Sequence, residues 1–416
     1  MMKMIFTVLL SSALLASCDK DGGSKDIHGQ ELQLSETDKQ QIKQTNTFTA
    51  KLFLEATKDL KSSDNAFLSP FGVSTVMAMA YNGAGGDTKE AISKAFNFDQ
   101  ISDEHLNAYY QTLIKGLPLV EPQTELSMGN AIWHNQDIPL KPDFLKVNEQ
   151  FYNAKAGKLD FTDPKAKDVI NDWVKDKTKN KIDKIIDATK QEDLAYLLNA
   201  IYFKGMWEQK FDKTNTAKAD FHTASGQTVQ ADFMHKQHTY GMLTMGTTGI
   251  QAVEIPYSNK KFSMLLIQPT DAASTDWSTM KLDEFMNALG SEQASFSPVK
   301  MDLYLPKFKF SYERKLNGDL TNLGMGIAFQ IDANFSNLSD RPSAISEVKH
   351  KAFVEVDEEG TEAAAVTSVG MVVTSLPQIP KIRFDHPFIF VVKENKSNLI
   401  LFIGKINNPL SSETKG

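Results

Sequence analysis

FVEVDEEGTEAAAVTSVGMVVTSL, residues Phe353 to Leu376, fits no ordinary element. Ala363-Ala364-Ala365 favours a helix, but Val366, Thr367, Val369, Val372, Val373 and Thr374 are β-branched and Gly360 and Gly370 interrupt the run, so extended chain is expected. Such a strand exceeds the usual length of about 3–10 residues, and an irregular loop this long is uncommon in a compact domain unless it is functional. Strand parity reconciles the two, because alternate residues of an extended segment point to opposite faces. Thr361, Ala363, Ala365, Thr367, Val369, Met371 and Val373 share one face, small at first and apolar later. Glu362, Ala364, Val366, Ser368, Gly370 and Val372 share the other, which alone carries a charge. Proline is absent until Pro377, so no ladder hydrogen bond would be missing. This segment can be buried as a central strand but need not begin as one.

Outward from it, the chain reads as mixed α and β. Phe48, Leu52, Phe53 and Ala56 fall on one helix face, as do Val169, Ile170, Trp173 and Val174. Strand-like runs span Ala195 to Phe203, Gly249 to Ile255, Phe262 to Gln268, Val299 to Leu305 and Phe388 to Val392. The fold class expected is α+β with large sheets. No second linker or repeat interrupts residues 41–412, which form one domain.

The N-terminus reads differently. Residues 1–17 hold Lys3, an apolar run from Ile5 to Leu10 and small residues, the pattern of an export signal too short to span a bilayer. Leu15-Ala16-Ser17-Cys18 resembles the lipobox of bacterial lipoproteins, which implies lipidation of Cys18 and a place on the bacterial outer membrane, at the cell surface or outside it. Residues 18–40 are polar, include Gly22-Gly23-Ser24, and read as a flexible tether. Cys18 is the sole cysteine, so an internal disulfide is excluded and the core must supply the stability. A net charge of -7 without a Lys/Arg cluster argues against nucleic acid as a partner.

Enzymatic constellations are weak. His235-Lys236-Gln237-His238 lacks a third ligand at suitable spacing, so no metal or other cofactor is expected. No Gly-x-Ser-x-Gly elbow occurs. Gly83-Ala84-Gly85-Gly86-Asp87-Thr88-Lys89 departs from the phosphate-loop spacing and reads as a turn between helices, with Asp87 or Thr88 as N-cap.

From Asn65 to Pro409 the motifs resemble the serpin family. They are Asn65-Ala66-Phe67-Leu68-Ser69-Pro70-Phe71-Gly72-Val73, where the family's usual Ser is Gly72, and Leu198-Asn199-Ala200-Ile201-Tyr202-Phe203-Lys204-Gly205-Met206-Trp207. Leu305-Pro306-Lys307-Phe308, Leu323-Gly324-Met325-Gly326, Phe335-Ser336-Asn337-Leu338-Ser339, His350-Lys351-Ala352, Glu358-Glu359-Gly360-Thr361-Glu362-Ala363-Ala364, Asp385-His386-Pro387-Phe388 and Phe402-Ile403-Gly404-Lys405 follow in order.

The resemblance implies three β-sheets, eight or nine helices and an exposed reactive loop at about 358–380. It implies a monomeric, metastable, secreted suicide inhibitor and not an enzyme. Its partners would be serine proteases, trapped as a covalent acyl complex when the cleaved loop enters the main sheet. Strand addition of this kind in serpins is a known example of stored strain released. The reach is adequate: about fifteen residues span about 50 Å, against a diameter near ~55 Å for a domain of this size.

By the same resemblance Glu358, Gly360, Thr361, Ala363, Ala364 and Ala365 form the hinge. Ser69, Asn199, Trp207 and His350 latch the sheet, with His350 bonded to Asn199. Counting from Glu358 places the reactive bond between Thr374 and Ser375, with Met371, Val373 and Leu376 as alternative positions. The uncharged loop suits elastase-like or subtilisin-like proteases. The rival reading is a non-inhibitory surface binding protein of the same fold; small inward hinge residues favour inhibition. Polyanion activation is not expected, since between Lys94 and Gly116 the only base besides His105 is Lys115.

Overall fold

The computed structural model describes residues 29–245, 248–271, 282–289, 295–360 and 379–415. Cys18 and the signal segment lie outside them, as do Thr361, Ala363, Ala364, Ala365, Met371, Val373, Thr374, Ser375 and Leu376.

Among the described residues there are eight α-helices: α1 (Glu36–Lys58), α2 (Pro70–Gly83), α3 (Gly86–Phe96), α4 (Asp103–Val120), α5 (Pro142–Tyr152), α6 (Ala166–Lys177), α7 (Leu282–Leu289) and the single turn α8 (Asn317–Leu320). Helix α1 starts early because Ser35 and Asp38 form a capping box. Residues 36–40, expected in the tether, are therefore helical, and Leu32 and Leu34 ahead of them pack on the core. The expected apolar face of α1 is buried. On α6, Ile170, Trp173 and Val174 are buried but Val169 is 42% exposed, so the apolar stripe is narrower than its spacing suggested. The N-cap of α3 is Gly85, with no side-chain cap, not Asp87 or Thr88. The Thr88 hydroxyl instead accepts the Asn334 N–H at 2.8 Å and ties this turn to a distant loop.

The strands are β1 (Ala66–Leu68), β2 (Glu125–Asn135), β3 (Ala154–Leu159), β4 (Ala195–Lys204), β5 (Ala217–His222), β6 (Thr228–Met245), β7 (Ile250–Pro256), β8 (Phe262–Pro269), β9 (Ser297–Pro306), β10 (Phe308–Lys315), β11 (Lys349–Val356), β12 (Lys381–Arg383), β13 (Phe388–Glu394), β14 (Ile400–Ile406) and β15 (Glu413–Lys415). All five strand-like runs are strands. The largest sheet has the order β1-β14-β13-β8-β7-β6-β9-β12, with β5 paired to β6. Strands β8 and β13 are buried along their whole length, which explains apolar runs without alternation.

Two smaller sheets, β3-β2-β4 and β11-β10-β15, frame the rest. In β4 parity is decisive: Leu197, Ile201 and Phe203 join the main core, whereas Tyr196, Leu198 and Ala200 join a smaller cluster with Trp173 and Ile170 of α6. Strand β4 thus packs apolar side chains on both faces, and among the described residues its edge away from β2 carries no strand.

Candidate functional site

Beyond Val356 the chain reverses tightly. The Asp357 N–H donates to the Gly360 carbonyl at 3.0 Å, and the Gly360 N–H returns to the Asp357 carbonyl at 3.3 Å. Gly360 has φ +135°, and a Cβ there would stand 2.3 Å from the Gly205 carbonyl oxygen, so only glycine fits. It is bridged antiparallel to Asp357, which continues β11, and also to Met206, which continues β4. One residue thus pairs with the continuations of both strands.

Anchors surround this turn. The Trp207 indole stacks on Tyr257 at 4.7 Å, its Nε1 donates to the Asp357 carbonyl at 2.9 Å, and its N–H donates to the Glu359 carbonyl at 3.0 Å. The buried Glu358 carboxylate accepts from Lys307 Nζ and Thr216 Oγ1, both at 2.8 Å. Burial alone would push its pKa up; those two hydrogen bonds outweigh it and leave the carboxyl below its ordinary value. Glu359, equally buried, meets Lys213 at 2.7 Å and Lys210 at 3.9 Å. Burial raises the Asp357 carboxyl, opposed by the Glu359 N–H. Lys307, Thr216 and Lys213 had no assigned role in the sequence. The signal was the acid triplet 357–359, which if buried demands cations, though not which ones.

Below the hinge, β4 and β11 part around a cleft of about 390 Å³ floored by α2 and lined by Val73, Met77, Leu197, Asn199, Ile201 and His350. Ser69, the N-cap of α2, accepts the Gly72 N–H through its hydroxyl, which donates to the Leu401 carbonyl at 3.0 Å. The Ser69 N–H donates to His350 Nε2 at 3.3 Å. Burial of His350 pushes its pKa down to about 4, opposed by a hydrogen bond with the Phe67 backbone, so the ring is neutral. The expected bond from His350 to Asn199 is not formed: they sit on opposite walls of the cleft, and Asn199 Nδ2 donates to Asn130 Oδ1 at 2.9 Å instead. Gly72 accommodates Asn199, because a Cβ there would lie 2.4 Å from its Oδ1.

Elsewhere, His235 Nε2 meets Asp302 at 3.1 Å and its ring stacks on Tyr304, while His238 stands edge-on to Tyr240. No group of three or more metal-binding side chains occurs among the described residues.

A family model described as Serpin (serine protease inhibitor) matches residues 43–409. Human leukocyte elastase inhibitor is 31% identical over 385 residues, covering 89% of this chain and 100% of the relative. A serpin-like protein of Methanosarcina mazei is 31% identical, covering 88% of this chain and 86% of its own. Among solved structures, the thermophilic serpin tengpin in its native state superimposes with a TM-score of 0.78 at 33% identity, covering 91% of this chain and 96% of tengpin. Thyroxine-binding globulin in complex with thyroxine gives 0.78 at 26% identity, covering 89% of this chain and 100% of that one.

Proposed function

The chain belongs to the serpin family, and from that premise we propose that it is an irreversible suicide inhibitor of elastase-like or subtilisin-like serine endopeptidases. The observation that supports this best is Gly360, bridged at once to the ends of β4 and β11 above the cleft where those strands part. A strand that continued from Gly360 would have an edge on either side for its ladder and an apolar floor beneath it. In this reading a protease serine attacks the carbonyl of Thr374, the Thr374–Ser375 peptide bond breaks so that Ser375 becomes the new N-terminus of the C-terminal fragment, and the arm, esterified through Thr374 to the protease, enters between β4 and β11 before the ester hydrolyses.

The test is incubation with pancreatic elastase or subtilisin followed by boiling in detergent. A covalent complex, with a released fragment starting at Ser375, is expected; quantitative cleavage without complex would refute inhibition. It would favour a binding role of the kind thyroxine-binding globulin has on the same fold.

We further propose that the protein is a monomer, as the family resemblance implies, and that a lipid on Cys18 holds it on the bacterial outer membrane, the anchor being the part that lipid labelling tests. Support for the anchor comes from Leu15-Ala16-Ser17-Cys18 alone. Radiolabelled palmitate should enter the native chain and not Cys18→Ser; equal labelling of the two would refute the anchor.

A further inference from the structure

Two histidines far from the hinge are brought together by the fold. His222 closes β5 and His386 lies between β12 and β13; their rings stand 4.7 Å apart, centroid to centroid, and are tilted by 31°. The backbone fixes the pair, since the His222 N–H donates to the Asp385 carbonyl at 2.8 Å. Each ring is also oriented through Nδ1. Asp385 Oδ1 lies 2.7 Å from His386 Nδ1, and an ionised carboxylate only accepts, so in the neutral ring the proton sits on that nitrogen and Nε2 carries the lone pair. His222 Nδ1 lies 3.1 Å from the Thr228 hydroxyl, which can accept in the same way. Among the described residues no hydrogen bond engages either Nε2, and both rings reach solvent.

Metal-bound histidines generally donate their other ring N–H to a carboxylate or similar acceptor, which sets the tautomer and raises ligand basicity. The geometry points to a bis-imidazole site in which His222 Nε2 and His386 Nε2 hold a borderline divalent metal ion of the Zn²⁺, Ni²⁺ or Cu²⁺ class, with water completing the shell. Two imidazoles do not suit the oxygen-seeking Ca²⁺ and Mg²⁺. Binding makes and breaks no covalent bond; it displaces a proton only from a ring that is protonated. Arg383, paired to Asp385 at 3.1 Å, places a positive charge nearby, so the site is weaker than one with three protein ligands. An ion there would staple the end of β5 to the segment joining β12 and β13.

The probe is Zn²⁺ alone, titrated calorimetrically into the intact chain and read in parallel by thermal melting. Wild type should bind one equivalent that His222→Ala and His386→Ala each lose and His235→Ala keeps. Thr228→Val should bind about tenfold more weakly. Zn²⁺ should raise the melting temperature of wild type but of neither alanine variant. Should His386→Ala fail to fold, His222→Ala decides alone, because its ring is exposed and its metal-free melt serves as the control. Retention of the equivalent by His222→Ala, or no wild-type binding below millimolar Zn²⁺, overturns the site.

Discussion

The seam between β4 and β11 is held by opposite chemistry at its two ends. At the top, Glu358 and Glu359 are gripped by Lys307, Thr216 and Lys213, and Gly360 pairs with both strands. Lower down, a neutral His350 takes the Ser69 N–H, Asn199 turns to Asn130, and the strands part. The ionic end fixes where a strand would begin, through geometry and charge; the neutral end leaves a path over the apolar floor of α2. The two ends should therefore fail differently.

The largest effect is expected at Gly360 itself. Gly360→Val forces a β-branched residue to φ +135° and drives Cβ into the Gly205 carbonyl. Strain and overpacking together should cost about 4 kcal/mol. Urea unfolding measures it, and a midpoint equal to wild type would show that the hinge is not pinned there. Protease trapping should fall with it.

Acid should break the neutral end next. His350 titrates near 4 in the folded chain, against about 6.5 unfolded. A histidine with a depressed native pKa contributes stability that is whole above about pH 6.5 and drains as pH falls toward 4, here about 3 kcal/mol. Unfolding free energies at pH 7.5 and pH 4 give the slope, and His350→Gln should flatten it. An unchanged slope in the variant would remove His350 from the account.

The contrast also explains what could be read ahead of the structure. Five of the fifteen described strands and the α1 face announced themselves, because burial on one or both sides imposes periodicity on local sequence. Val169 misled because spacing gives a face but not its width. Thr88 misled because its hydroxyl serves Asn334, a partner no local pattern reveals. The site divided in the same way: Glu358 and Gly360 stood out by resemblance, whereas the cations that answer Glu358 and Glu359 sit on other elements. His350 and Asn199 were paired by resemblance, yet a parted seam gives each its own partner.

At the ionic end, Glu358→Gln keeps the shape of the side chain and removes its charge. Losing charge-assisted bonds from Lys307 and Thr216 should cost about 2 kcal/mol. On the proposed mechanism it should also hasten spontaneous loss of protease trapping at elevated temperature, since the turn at Gly360 is then less firmly seated. A half-life at 45 °C equal to wild type would show that Glu358 is a bystander.

The smallest effect sharpens the comparison most. Thr216→Val removes one neutral donor from the Glu358 Oε1 and leaves Lys307 in place at 2.8 Å. The loss should be about 1 kcal/mol, the worth of a single hydrogen bond. Its pH signature is specific. With native pKa depressed, Glu358 contributes stability that is whole above its unfolded pKa and is lost as pH falls through the folded one. Without Thr216 the folded pKa rises toward the ordinary carboxylate value, so the contribution shrinks and disappears at higher pH. The His350 slope, which lies above pH 4, should stay unchanged. Acid-unfolding curves of wild type, Thr216→Val and the double variant with His350→Gln separate the two ends. If Thr216→Val alters the slope between pH 6.5 and 4 as much as His350→Gln does, the ends are coupled and the seam is a single unit.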